Sequence, residues 1–173
     1  MADMARFLIS ELEQEAATTR RVIERVPADR LDFQPHPRAM SLGQLALHVA
    51  RIPGTMSRMA QLDAFDTVNA KFNPDRPESA DELLPTLEAS VTDARSFLGE
   101  LDDERGAAPW QLRHGEKELL TMPRFTMIRS LMLNHWYHHR GQLVTYLRML
   151  GVAVPSVYGP TADENPFAAA IAA

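Results

Sequence analysis

Apolar residues recur at steps of three and four along most of this chain, the spacing of one face of an α-helix. Between Asp3 and Val26 they are Leu8, Leu12, Ala16, Val22, Ile23 and Val26, with charges between them. The pattern predicts a first helix over Asp3–Val26, ended by Pro27, which cannot continue it. The proline-bearing stretch ADRLDFQPHPRAM follows as a loop. A second helix opens at Ser41. There Ser41-Leu42-Gly43-Gln44 forms a capping box, in which the Ser41 hydroxyl takes a free backbone N–H and the Gln44 side chain reaches back. Leu42, Leu45, Val49, Ile52, Met56 and Met59 mark its buried side, and Pro53-Gly54 predicts a kink or a short break within it.

The polar segment TVNAKFNPDRPE is long enough to be a crossover rather than a tight turn. A second capping box, Ser79-Ala80-Asp81-Glu82, opens a third helix. Its Leu84, Leu87, Val91, Ala94, Leu98 and Leu101 form the seam of a helix packed lengthwise on its neighbours, and Pro85 in its first turns predicts a bend. The stretch DDERGAAPWQLRHGEKELLTMP reads as non-helical, with a small hairpin pairing Gln111–Arg113 with Lys117–Thr121 around His114-Gly115. Pro123 suits the start of a fourth helix that runs to Gly151, a C-capping glycine with Pro155 beyond it. The tail from Val152 to residue 173 reads as irregular. Four long amphipathic helices in 173 residues predict a single all-α domain over 1–173, a four-helix bundle for which a crossover connection is as compatible with the loops as an up-down path.

Composition narrows the function. The length suffices for a continuous core, and 45% hydrophobic with 24% charged residues is ordinary for a globular chain. A net charge of −5 and the lack of a basic stripe speak against nucleic acid and anionic membranes as partners. The chain has no cysteine, which excludes disulfides, thiolate metal sites and a cysteine nucleophile and is compatible with a reducing cytoplasm. The first residues are acidic where a signal peptide needs a basic end, and no apolar run approaches a membrane span. A cytoplasmic location and a small-molecule substrate are therefore expected.

The candidate chemistry lies in Leu131–Gly151, which holds His135, His138 and His139, three of six histidines. His135 and His139 are four residues apart, so a helix stacks them on one face, where they can grip one metal ion if another segment supplies a further ligand. On a wheel of about 100° per residue starting at His135, Ile128 and Tyr146 fall near about 20° and Met132 and Leu150 near about 60°. Leu131 and Met149 fall near about 320°, and Arg129, Arg140 and Arg148 fall on the far side. The wheel therefore places His139 in the middle of the buried face and His138 on its rim. His48 lies on the apolar side of the second helix, between Leu45 and Ile52. A buried imidazole needs partners for both nitrogens, and three facing imidazoles find a common one in a divalent ion. The bland readings are a single hydrogen-bonded core histidine, solvated loop positions for His36 and His114, sideways packing or an interface for Trp136 and Tyr137, and core filling for the nine methionines. Gln142, one turn from the pair, is the candidate to hold a ligand in place from behind.

Three stretches carry a resemblance to a known family: Thr19–Gly54, His135–Gly151 (HWYHHRGQLVTYLRMLG) and Val154–Pro160 (VPSVYGP). They resemble the DinB/YfiT-like superfamily of metal-dependent enzymes, whose pattern is a histidine in helix two and H-x-x-x-H-R-G-Q in helix four. His48 matches the first, His135 and His139 the pair, and Arg140-Gly141-Gln142 the remainder. Helix three matches in pattern alone, and His138 is extra to the motif. The resemblance implies a four-helix bundle with a crossover, often a homodimer, and His48, His135 and His139 as ligands of a divalent metal. Nickel or zinc is the first expectation, with iron and manganese after them. It also implies one of two chemistries, S-transfer from a low-molecular-weight thiol such as bacillithiol or mycothiol, or hydrolysis. Without cysteine, a thiol nucleophile must arrive as a cofactor, and no carboxylate stands out as a general base. The alternative is a non-catalytic metal- or ligand-binding bundle, a sensor or structural dimer.

Overall fold

Helix α1 spans Asp3–Ile23, three residues short of the expected end. Its last turn tightens before Pro27: Arg25 N donates to Val22 O at 3.1 Å and Val26 N to Ile23 O at 3.0 Å. The residue before a proline avoids helical dihedrals, which explains the early stop. The computed structural model describes residues 3–71 and 75–171.

Helix α2 spans Leu42–Gln61 and starts with the expected capping box, Gln44 N to Ser41 Oγ at 3.3 Å and Ser41 N to Gln44 Oε1 at 3.0 Å. It passes through Pro53 without a break. Pro53 has no N–H for the Val49 carbonyl one turn back, and the Trp136 indole donates to that carbonyl instead, at 2.9 Å. The next N–H, of Gly54, donates to Ser90 Oγ at 2.7 Å. A Cβ at position 54 would lie 3.0 Å from Ser90 Cα, so the glycine permits the approach. Pro53-Gly54 thus opens the helix ladder to two neighbours.

The second capping box forms on a 3₁₀ turn, Ala80–Glu82, and leads into α3, Leu83–Glu100. Its buried residues are Leu83, Leu87, Ser90, Ala94, Phe97 and Leu98, so Leu84 and Val91 are only half-buried. The close contact with Gly54 turns Ser90 inward and shifts the expected seam.

The all-α expectation is corrected by a three-stranded sheet of order β1-β2-β3. Strands β2 (Pro109–His114) and β3 (Lys117–Pro123) are the expected hairpin, longer at both ends. Its turn places Gly115 at φ 59, a left-handed conformation that suits glycine. Strand β1, Ala64–Asp66, pairs parallel with β2, Ala64 opposite Gln111. The region read as non-helical also contains the short α4, Asp103–Ala107, capped by Asp102, whose carboxylate accepts from Arg105 N at 2.7 Å.

The fourth long helix is continuous from Arg124 to Met149 but not uniform. It runs as α5 (Arg124–Met127), a π-helical stretch over Ile128–Asn134, and α6 (His135–Met149). Wider π turns change the phase of everything downstream. The buried residues of α6 are Trp136, Arg140, Leu143 and Leu147, centred about 80° from the face the uniform wheel gives. Met149, placed inward by the wheel, is 58% exposed, while Arg140, placed outward, is 1% exposed. Arg140 pairs with Glu15 at 2.5 Å and donates to Thr19 Oγ1 at 3.1 Å and Tyr158 OH at 2.5 Å. Gly151, at φ 73, ends the helix as expected, with Val152 N bonded to Leu147 O at 3.0 Å.

The main helix packings are α2 on α3, α1 on α3, α2 on α6 and α1 on α6. The ring order is therefore α1, α3, α2, α6, and the diagonal crossings fall between α1 and α2 and between α3 and α6. The long segment expected to be the crossover, residues 67–78, instead joins neighbours and follows directly on β1; its residues 72–74 lie outside the described residues. The tail is irregular except for α7, Ala168–Ile171. It is nonetheless tied down: Asp163 accepts from Val154 N at 2.9 Å and pairs with Arg148, and Glu164 pairs with Arg21. Among the described residues, no helix is long and apolar enough to cross a membrane.

Candidate metal centre

His48, in the second turn of α2, and His135 and His139, in the first turns of α6, converge. One nitrogen from each lies within 4.8 Å of the others, and they are the one such group among the described residues. The Nε2 atoms of His48 and His135 are 3.4 Å apart. Two nitrogens bound at about 2.1 Å to a tetrahedral ion would be about 3.4 Å apart, so the donor set fits a divalent metal. The ring centroids are separated by 5.2 Å (His48–His135) and by 4.6 Å for both pairs with His139. The Trp136–Val49 hydrogen bond, one residue from His135 and one from His48, fixes the two segments against each other.

Each ring is prepared for that role. Gln142 Oε1 lies 2.7 Å from His139 Nδ1, so it accepts that N–H and leaves the Nε2 lone pair free. The Leu131 carbonyl, one turn back, bonds the His135 ring. Burial, then the neighbouring imidazoles His139 and His135, pushes His48 down to about 4. Burial also pushes His139 down to about 4, against the hydrogen bond to Gln142. His135 is lowered mainly by burial. Burial thus favours the neutral ring at all three positions, the form that ligates metal.

The pair does not sit in the middle of the buried face, as the wheel had it. The π stretch turns that face to Trp136 and Arg140 and leaves His135 and His139 half-buried on its flank. That flank opens on a cavity of about 550 Å³ whose lining includes His48 and His135. Met56 and Met59 of α2, Phe65 of β1, Trp110 of β2 and Met127 and Leu131 of the last helix supply its apolar walls. His138 is exposed on the rim, as expected, with its ring 4.9 Å from that of His139. His36 and His114 are exposed and are not members of the cluster, with Arg38 N and Thr67 as their contacts.

Sequence reasoning missed four contributors. Trp136 is buried as a donor to α2, which only the missing N–H at Pro53 could have signalled. Phe65 reaches the cavity from β1, which the periodicity did not reveal, and Trp110 from β2, one residue before the expected start of the hairpin strand. Arg124, 1% exposed, bonds Ala60 O at 2.7 Å, Leu62 O at 3.2 Å and Arg105 O at 2.7 Å, tying the end of α2 to the last helix.

Comparison with known proteins places the chain. The model of the DinB family matches residues 1–166. The chain belongs to the DinB family. The uncharacterized protein YrdA of Bacillus subtilis is 24% identical over 157 residues, 88% of this chain and 86% of its own length. A DinB-like protein from Bacillus cereus superposes with a TM-score of 0.67 at 22% identity, covering 87% of this chain and 95% of its own. Another, from Bacillus subtilis, gives a TM-score of 0.64 at 16% identity, covering 87% and 96%. At those identities the two structures show the DinB-like fold, mostly helical with the small sheet, and the three-histidine cluster is read from this chain's own side chains.

Proposed function

We propose that this DinB-family chain is a metal-dependent enzyme acting on a small molecule, with His48, His135 and His139 as metal ligands and Gln142 orienting His139. One observation carries the reading: a nitrogen from each of three imidazoles lies within 4.8 Å of the others, with two of the rings, His48 and His135, on the wall of a mostly apolar cavity. A divalent ion held there, with nickel and zinc ahead of iron and manganese, would lower the pKa of a bound water or thiol or polarise a carbonyl. The protein's own contribution is to hold the rings neutral and aimed, through Gln142 and the Leu131 carbonyl, and to exclude water with the methionine and aromatic walls.

Of the two chemistries, S-transfer from a low-molecular-weight thiol fits better than hydrolysis. None of the described residues lining the cavity is a carboxylate, so a water nucleophile has no general base beside it. A thiol is far more acidic than water and, on binding the metal, would release its proton to solvent without a neighbouring base, and the chain, having no cysteine, takes that thiol as a cofactor.

The test is metal analysis of tag-free protein, followed by metal-dependent conjugation of monochlorobimane to small thiols and a parallel ester panel. His48→Ala and His135→Ala should each lose the metal while keeping their helicity, and His138→Ala should keep it. Stoichiometric metal in both of the first two variants would overturn the site. Bound metal with no turnover in either panel would leave a non-catalytic binding module, a sensor or structural dimer.

A further inference from the structure

The cavity beside the histidines has a chemistry of its own. Its walls are mostly apolar, and two of them, Met56 and Met59, are unbranched side chains that adapt to different shapes. Lys71 is the one lining residue with a fixed charge, and it stands exposed where β1 has ended. The remaining polar groups are Thr55, Thr67, the Trp110 indole, which donates to Met59 O, and the two histidines. The third histidine, His139, is not part of the lining and faces Gln142 and the exposed His138. A sugar-based thiol, rich in hydroxyls, would leave most of them unpaired among these walls, at a cost for each.

We propose that this cavity binds a small monoanion with an aryl or branched-alkyl body, its anionic group at Lys71 and its apolar part against Met56, Met59 and Trp110. A volume of about 550 Å³ suits a molecule of that kind. The cavity thereby takes the acceptor substrate and not the thiol. Only the word substrate rests on the metal-enzyme reading; the binding does not need a metal.

The probes are 8-anilinonaphthalene-1-sulfonate and N-phenyl-1-naphthylamine, which share an arylamine body and differ in the sulfonate. Each is titrated by fluorescence into the full chain, once with chelator and once with zinc. One molecule should bind per chain in both conditions, the sulfonate about three- to fivefold more tightly, as an exposed charge pair provides. Lys71→Gln should abolish that preference and leave the neutral probe's affinity unchanged. Met59→Trp should weaken both probes about tenfold by filling the cavity, and Met56→Trp replaces it if the far-UV spectrum shows a folding defect. Equal affinities in the unmodified chain, a preference that survives Lys71→Gln, or binding indifferent to both tryptophans would each overturn the proposal. Failure of the metal reading registers elsewhere, as zinc retained by His48→Ala, and leaves the chelator titrations intact.

Discussion

Trp136→Phe tests how the two metal-binding segments are joined. The indole N–H is the partner of the Val49 carbonyl, 2.9 Å away and buried, and Pro53 cannot supply the helical N–H that would replace it. Phenylalanine leaves that carbonyl unsatisfied, which costs about 1–3 kcal/mol. The smaller ring adds on the order of 1 kcal/mol for the void it leaves. In a Pro53→Ala background the new N–H lies one turn from Val49 and takes over its carbonyl, so only the void remains. The two substitutions should therefore be coupled by about 1–3 kcal/mol, well beyond the few tenths within which independent sites add. The four proteins are compared by urea denaturation in chelator, so that metal linkage does not enter. Additivity within about 0.5 kcal/mol would refute the reasoning. Zinc affinity gives a second reading: Trp136→Phe should weaken it in both backgrounds, because Pro53→Ala repairs the α2 ladder without restoring the tie between His48 and His135.

Other expectations follow from the same coordinates. The metal-free protein should lose stability as pH falls: His48 and His139 are pushed down to about 4 and His135 is lowered, while an unfolded histidine titrates near about 6.5. Between those values the unfolded chain binds more protons, so this contribution is complete above about 6.5 and vanishes toward 4; a urea midpoint that His48→Gln leaves equally pH-sensitive would contradict it. Gln142→Ala removes the acceptor at His139 Nδ1 and should weaken zinc about 10- to 100-fold in a chelator competition; unchanged affinity would make the contact incidental. Arg140→Met strands the Glu15 carboxylate, whose side chain is 8% exposed, and should cost about 3–5 kcal/mol, most of it recovered by adding Glu15→Leu; a loss below about 1 kcal/mol by denaturation would refute the buried pair. Gly106→Ala would put a Cβ 2.1 Å from the Phe125 ring and should lower the thermal midpoint, by a destabilisation of about 1–3 kcal/mol.

What the sequence disclosed was what local rules govern. Both capping boxes, the hairpin turn at Gly115 and the stop at Gly151 depend on residues within a few positions of each other, and all form. The histidine pair was legible for the same reason, since His135 and His139 lie together inside the regular α6. The wheel erred because it was drawn through Ile128–Asn134, where the turns widen and no residue type announces it. Strand β1 has three residues, too few to show a period of two, and its partner β2 begins more than forty positions later. Arg140 read as a surface residue, and nothing singled out Arg124, because their partners, Glu15 and Ala60, are distant in the chain. Burial of an arginine is a tertiary fact.

The two features that misled the pattern are the ones that shape the site. Had the last helix kept α-helical phase throughout, His139 would stand in the middle of the packed face, and an ion held there would be closed in by the core. The π stretch gives that place to Trp136 and Arg140, which anchor α6 to α2 and α1, and it leaves His135 and His139 half-buried on the flank, with His135 lining the cavity. Pro53, a breaker by its local chemistry, leaves a carbonyl for Trp136 to fasten. Anchoring and access are thus divided between adjacent residues in the first turns of α6: Trp136 and Arg140 hold the helix, and His135 and His139 are left free to bind.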